Sequence, residues 1–328
     1  MQTRLESVVR EVEKVIAGKR QVIERILTAV LAEGHILLDD VPGVGKTTLA
    51  VALSRTVGLA FRRVQFTPDV LPSDLVGFPM YDRTNGDFVY RPGVLSGTNL
   101  LLGDEINRAS SKTQSALLEA MEERQATVDG KTYPLETPFV VIATENSVGT
   151  AGTQFLPYAQ MDRFLVRLSL GYPDYEAQMA MLRERQAGNP LETVNCVMEK
   201  AELVSMQREA GNVAAGELIL DYITRLAMAS REHGAVEVGI SPRGALFINR
   251  MAKARAYLEG RDYVTGGDVQ DVFTDVCAHR VLLKENVRES SVEQVLEELL
   301  KKVENPDRRG LFPGLNREHA ACGTVKKP

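Results

Sequence analysis

Residues 40–47, reading DVPGVGKT, constrain the fold more than any other stretch of the chain. A glycine-rich turn that runs into Lys-Thr between a strand and a helix lets the turn's N–H groups and the helix N-terminus converge on one anion. The flanks fit that geometry. Residues 35–38 (HILL) read as a short buried strand, and residues 47–55 as a helix with Leu49 and Leu53 on one face. The pattern predicts a nucleotide-phosphate site formed by Pro42, Gly43, Val44, Gly45, Lys46, Thr47 and Thr48, for ATP or GTP. In it Lys46 supplies a mobile positive charge and Thr47 offers a hydroxyl to Mg2+. One position departs from the usual G-x-x-x-x-G-K-[ST]: Asp40 stands where the first glycine is expected, and its carboxylate repels phosphate unless it turns away.

Further strands are expected over residues 61–66 (FRRVQF), 99–104 (NLLLGD), 139–144 (FVVIAT) and 164–170, with helical patterns between most of them. Short, nearly continuous apolar strands alternating with helices indicate an α/β fold with a five-stranded parallel sheet covered on both faces, whose ligands lie at the carboxyl ends of the strands. Two hairpins interrupt this order. Asn85-Gly86 joins residues 80–83 to 87–91, and Asp129-Gly130 joins 126–128 to 131–135, both suiting a two-residue turn with positive φ. They are either loop decorations or contact elements, the latter favoured by Phe78, Tyr81, Phe88 and Tyr90 on the first. From about Pro173 the strand signals stop, and residues 175–186, 200–210, 218–233, 242–258 and 267–281 read as helices of an all-α second domain. Residues 291–303 form an amphipathic helix with Glu297 and Lys301 at i,i+4, and residues 305–328 look poorly ordered. The expected division is a nucleotide-binding α/β domain over 1–172, a helical domain over 173–287, and a C-terminal helix with its tail over 288–328.

The strand at 99–104 ends in Gly103-Asp104-Glu105, which places two carboxylates beside the phosphate loop. Asp104 would hold Mg2+ directly or through water, and Glu105 would orient or deprotonate the water that attacks the γ-phosphate. Asn146 follows the next strand (IATEN), where a carboxamide reaches toward the γ-phosphate or that water; the alternative is a turn-forming asparagine. Arg163 lies just ahead of the last strand. Arg243 follows Ser241, an N-cap, and Pro242, a first helical residue. A cation in a helix's first turn opposes the macrodipole by roughly 0.3–1 kcal/mol, so a nearby anion makes better sense of Arg243 than solvent alone does.

Composition excludes several classes. With 328 residues, 44% hydrophobic and 25% charged, the chain is an ordinary globular protein rather than a disordered or fibrous one. No window approaches 18 apolar residues and the N-terminus lacks a signal-peptide core, so a cytoplasmic protein without membrane insertion is expected. Cys196, Cys277 and Cys322 match no metal-ligand spacing or disulfide framework. A formal charge of -5 argues against a general nucleic-acid binder.

Several separate motifs now carry a resemblance: residues 34–50 (GHILLDDVPGVGKTTLA), 66–77 (FTPDVLPSDLVG), 101–123 (LLGDEINRASSKTQSALLEAMEE), IATEN, LPYAQMDRFLVR and ISPRGAL. From about Glu13 to Val281 the chain resembles the MoxR family of AAA+ ATPases. That resemblance implies an AAA+ domain followed by a helical lid, an Asp104/Glu105 Walker B pair, Asn146 as sensor 1, Arg163 as an arginine finger acting in trans, and Arg243 as sensor 2. It also implies that Ile16 and Gly18 lie in the segment that contacts adenine, and that the working unit is a homo-oligomer, a hexameric ring, with ATP and Mg2+. Family members tolerate residues other than glycine at the place of Asp40. Gln65 is a candidate polar switch for Glu105, with ordinary strand placement as the alternative, and the hairpins correspond to the helix-2 insert and the pre-sensor-1 hairpin. The implied function is chaperone-like remodelling, maturation or activation of a client protein complex, in some members beside a von Willebrand factor A domain protein. The rival expectations are a nucleotide-gated scaffold with slow turnover and a nucleic-acid motor, the latter disfavoured by the lack of a basic cluster on either hairpin.

Overall fold

The computed structural model describes residues 2–145, 156–285 and 291–309. Two helices that the strand-centred reading did not predict, α1 (Gln2–Glu13) and α2 (Arg20–Leu31), precede the first strand β1 (Ile36–Asp39). The phosphate-loop helix α3 (Lys46–Thr56) leads to β2 (Phe61–Gln65), a short α4 (Pro72–Val76), the hairpin β3 (Gly77–Asp82) and β4 (Asp87–Pro92), and then β5 (Leu100–Asp104). After a 3-10 turn at Ile106–Arg108 come α5 (Ser111–Glu123), the hairpin β6 (Gln125–Val128) and β7 (Lys131–Pro134), β8 (Val140–Glu145), α6 (Tyr158–Met161) and β9 (Val166–Leu168). The remainder is helical: α7 (Tyr175–Ala187), α8 (Lys200–Gly211), α9 (Glu217–Glu232), α10 (Pro242–Leu258), α11 (Gly266–Cys277) and α12 (Val292–Lys302). Two short strands, β10 (Val236–Val238) and β11 (Leu282–Leu283), pair antiparallel within it.

The central sheet has the order β2-β5-β8-β1-β9, every pair parallel. Its period-2 alternation sorts side chains between two cores. Ile36, Leu38, Leu100, Leu102, Val140 and Ile142 face α1, α2, α3 and the lid's apolar residues. Leu37, Leu101, Val141 and Ala143 face Phe66, Leu117, Leu118, Met121, Phe139 and Phe164. Burial on both faces is why these strands are nearly continuous apolar runs. Truncating one of them, Leu to Ala, costs about 2–5 kcal/mol. The lid is tied to the sheet as well as to itself, because α10 packs on α2, α8, α9 and α11, and α11 packs on β9.

Two expectations need correction. The second hairpin has the two-residue turn, with Asp129 at φ 49 and Gly130 at φ 75. The first does not: Asp82 pairs with Asp87 across a four-residue loop in which only Gly86 has positive φ. The Asp82 carboxylate accepts from Thr84 N (2.8 Å) and Asn85 Nδ2 (2.7 Å), so its own side chain organises the wider loop. Nor is the segment from Asn305 loose at its start. Asn305 is buried, Pro306–Arg309 form a 3-10 turn, and the Asp307 carboxylate accepts from Gly266 N (2.9 Å) and Gly267 N (2.8 Å) at the N-terminus of α11. Charge–dipole attraction and two orphan helix donors fix it there. Among the described residues no helix is long and apolar enough to cross a membrane.

Candidate functional site

The phosphate loop follows the carboxyl end of β1. Gly43 and Gly45 hold φ of 87 and 101, values that glycine tolerates and side chains rarely do, and Gly45 caps α3. A cavity of about 340 Å3 is lined by Pro42, Gly43, Gly45, Lys46, Thr47, Thr48, Arg63, Gln65, Asp104, Glu105 and Thr144. A second of about 350 Å3 shares Pro42, Gly43, Gly45 and Thr48 with it. That second cavity is walled by Val15, Ile16, Val44, Tyr172, Pro173 and Met181, the mostly apolar lining that a purine ring requires. Ile16 comes within reach of the loop, since a Cβ on Gly45 would meet its Cδ1 at 3.2 Å. Gly18, at φ 72, lets the chain pass α7, where a Cβ would meet that of Ala177 at 3.0 Å.

The doubt over Asp40 has a geometric answer. Its carboxylate turns from the loop to residues 169–171, accepting from Ser169 Oγ (2.7 Å), Leu170 N (2.6 Å) and Gly171 N (3.0 Å). Its carbonyl meanwhile accepts from Lys46 Nζ (2.7 Å). Burial pushes the Lys46 ammonium below the ordinary lysine value, and Asp40 and Asp104 oppose that shift. A partly desolvated cation held by one neutral carbonyl is ready to exchange it for phosphate oxygens.

Asp104 and Glu105 both face this cavity, and each is already paired with an arginine the sequence did not single out. Arg63 Nε donates to Asp104 Oδ2 (2.7 Å), and Arg108 Nη1 to Glu105 Oε2 (2.7 Å). Thr144 joins them, its hydroxyl accepting from Glu105 N (2.9 Å) and donating to Asp104 Oδ1 at 3.4 Å. Glu105 sits at φ 55, a left-handed conformation costly for a non-glycine residue and frequent at functional sites. Gln65 lines the same cavity but contacts Arg63 (3.4 Å) rather than Glu105. Thr47 and Asp104 in one cavity make the small oxygen donor set that Mg2+ takes when substrate phosphates and waters complete its shell. The donor chemistry therefore fits the ion, provided Arg63 yields its hold on Asp104. Asn146 lies outside the described residues.

Arg163 and Arg243 are not in this site. They line a separate cavity of about 380 Å3 with Glu33, Gly34, His35, Glu122, Arg124, Leu246, Phe247 and Arg250, and none of its lining residues borders either phosphate-loop cavity. Residues 33–35 enter β1 and residues 42–48 leave it. The two sites are thus at opposite ends of a strand, roughly 13 Å of chain at ~3.3 Å per residue. The anion expected beside Arg243 is Glu122: Arg243 Nη2 pairs with its Oε1 and Arg163 Nη1 with its Oε2 (2.6 Å). Arg163 also donates to Leu118 O (3.1 Å). Next to Arg163, Asp162 receives Arg280 Nε (2.8 Å) and Ser241 Oγ (3.0 Å), so a buried arginine and the N-cap of α10 are locked to the sheet beside both cations.

The model of the ATPase family associated with various cellular activities (AAA) matches residues 35–166, and that of the AAA lid domain matches residues 228–299. The chain is 43% identical to YeaC of Bacillus subtilis, covering 92% of this chain and 94% of that one. It is 38% identical to Chaperone MoxR1 of Mycobacterium tuberculosis, covering 85% and 76%. A crystal structure of a Cytophaga hutchinsonii protein superposes with a TM-score of 0.85 at 37% identity, covering 93% of this chain and 95% of that one.

Proposed function

We propose that this chain, which belongs to the MoxR family of AAA+ ATPases, hydrolyses ATP at a site completed by a second copy of itself and uses the cycle to remodel a client protein complex. The observation that carries the shared site is the position of Arg163 and Arg243 at the far end of β1 from their own phosphate loop, beside each other and partly exposed. Neither cation serves its own nucleotide from there. In a ring, a natural hexamer for this family, that face meets the neighbour's phosphates, where Arg163 acts as finger and Arg243 as lid sensor.

Within one protomer, residues 42–48 cradle the phosphates through backbone N–H groups, and the apolar wall with Ile16 and Gly18 receives adenine. Lys46 exchanges the Asp40 carbonyl for phosphate oxygens. Thr47 and Asp104 would hold Mg2+, which would supply charge neutralisation for the bound phosphates. Glu105, once released by Arg108, accepts a proton from the attacking water, and Asn146 orients that water. The name of the Mycobacterium tuberculosis relative, Chaperone MoxR1, supports a protein client over nucleic acid.

The Arg63–Asp104 and Arg108–Glu105 pairs favour a second reading, a nucleotide-gated scaffold with slow turnover, because both carboxylates must be freed before chemistry. The test for both is ATPase rate per protomer against protein concentration. A rate that climbs with concentration and falls about 10^3–10^5-fold in Arg163→Ala supports the shared enzyme. A rate near zero at every concentration with intact oligomerisation supports the scaffold, and an undiminished rate in Arg163→Ala overturns the shared site.

A further inference from the structure

We infer that Glu122 is a positioning residue that couples the finger and the lid arginine, presenting them to the neighbouring nucleotide as one unit; the inference rests on the shared-site reading. One carboxylate takes both cations, one on each oxygen, and the two arginines come from different parts of the chain: Arg163 from the loop before β9, Arg243 from the first turn of α10 in the lid. Among the described contacts, Glu122 is the hydrogen-bonding partner of Arg243, whereas Arg163 also has Leu118 O. Arg243 donates to Glu122 through Nη2, and Arg163 places the same Nη1 against both Glu122 and Leu118 O. Since an arginine has five N–H donors in a planar fork, the rest of each fork remains for a phosphate. Glu122 can therefore stay in place while both arginines engage, and the pair's spacing is set by the two oxygens of one carboxylate.

The platform under Glu122 is rigid, which a positioning device requires. It stands near the C-terminus of α5, where buried His35 bonds the Met121 carbonyl through Nε2 (3.0 Å) and accepts from Val141 N through Nδ1 (3.0 Å), joining the helix end to β1 and β8. The helix ends at Arg124, φ 55, whose guanidinium donates to Glu33 O (2.8 Å) and Phe139 O (3.3 Å). Four arginines (124, 163, 243 and 250) and two glutamates (33 and 122) line the cavity, so it carries an excess of positive charge facing outward. Glu122 aligns two of those cations without neutralising the site. The same helix starts just after Glu105: Ser110, its N-cap, is five residues on. One rigid element thus connects a protomer's own Walker B end to the arginines it lends to its neighbour.

The test is Glu122→Gln, which keeps the shape and removes the charge, with Glu122→Asp as a variant that keeps the charge but is one methylene too short to span both partners. At concentrations that assemble the ring, Glu122→Gln is expected to lower kcat about tenfold, the worth of two partly exposed ion pairs, with KM for ATP within twofold. The affinity of dilute protomers for a fluorescent ATP analogue should not change, the thermal midpoint should fall by no more than the few degrees that two partly exposed ion pairs are worth, and Glu122→Asp should not restore the rate. Wild-type kcat in Glu122→Gln, or a loss accompanied by a larger fall in the thermal midpoint or by weakened nucleotide binding in dilute protomers, overturns the inference. Arg163→Ala in the same assay separates the two levels. If it is inactive while Glu122→Gln is normal, only the coupling role fails; if it is fully active, the shared site fails and the coupling with it.

Discussion

Asp40→Gly returns the phosphate loop to its usual pattern, and on motif grounds the change is harmless or beneficial. The structure predicts the reverse. The Asp40 side chain is 7% exposed and accepts from three donors in residues 169–171, joining the strand that carries the loop to the segment leaving β9. Glycine strips all three of their acceptor. Ser169 is exposed, so its hydroxyl turns to water at little cost, whereas the Leu170 N–H is buried and that of Gly171 half-buried. A buried donor left without a partner costs about 1–3 kcal/mol, and the added chain entropy of a glycine about 0.5–1 kcal/mol. The expected loss is therefore about 2–5 kcal/mol, read as a lowered midpoint in urea denaturation of the nucleotide-free chain followed by circular dichroism. Asp40→Asn retains one acceptor oxygen and should lose roughly half as much. If Asp40→Gly is as stable as the natural chain or more so, the carboxylate clamp does not stabilise the loop and the account of Asp40 fails.

Arg280→Met removes a 1%-exposed guanidinium from Asp162 and from the carbonyls of Asp162 and Leu165, leaving a carboxylate without its cation at the sheet–lid junction. Breaking one side of a buried pair costs about 3–5 kcal/mol, and a thermal unfolding midpoint near that of the natural chain would refute the junction's importance. Burial holds His35 neutral, its pKa pushed down to about 3 from an ordinary 6.5, so the unfolded chain binds the extra proton. Its contribution is complete above pH 6.5 and is lost as pH falls from 6.5 toward 3, at up to about 1.4 kcal/mol per unit. Denaturation midpoints between pH 6.5 and 4 should accordingly fall less steeply in His35→Gln than in the natural chain, and identical slopes would contradict a neutral buried imidazole. Arg63→Ala frees Asp104 Oδ2 from a partly exposed ion pair worth about 0.5–1 kcal/mol, so the Mg2+ concentration for half-maximal turnover should drop about two- to fivefold; a rise would mean that Arg63 assists the site rather than blocking it.

What the sequence made legible was local. The five parallel strands announced themselves because burial on both faces demands uninterrupted apolar residues, and Asp129-Gly130 announced its turn because both positions need positive φ. That the phosphate loop and the carboxylates after β5 would meet at one cavity was readable for a similar reason, since each group is written in consecutive residues at the end of a strand. Charged partners distant along the chain were not. Arg63 meets Asp104 across 41 positions and Arg280 meets Asp162 across 118, and either arginine alone reads as a solvated cation. Glu122 lies inside a motif that identified the family, yet its partners lie 41 and 121 positions onward, so nothing local marks it. The same distance hides the contact between the hairpins: the ring of Tyr90 in the first stacks on Tyr133 of the second at 3.8 Å and joins two inserts that the sequence presents as independent. For Asp40 the question was visible and the answer was not, because its partners are about 130 residues away.

The most direct test of the shared site is ATP turnover by an equimolar mixture of two inactive chains, one Lys46→Ala and the other Arg163→Ala. On the proposed reading the first loses nucleotide binding but keeps its arginines, and the second binds nucleotide but lends no finger. If Arg163 completes a neighbouring site, mixing restores turnover to a sizeable fraction of the natural rate in proportion to the mixed interfaces formed. A mixture that co-assembles yet stays as inactive as its components would contradict the central claim.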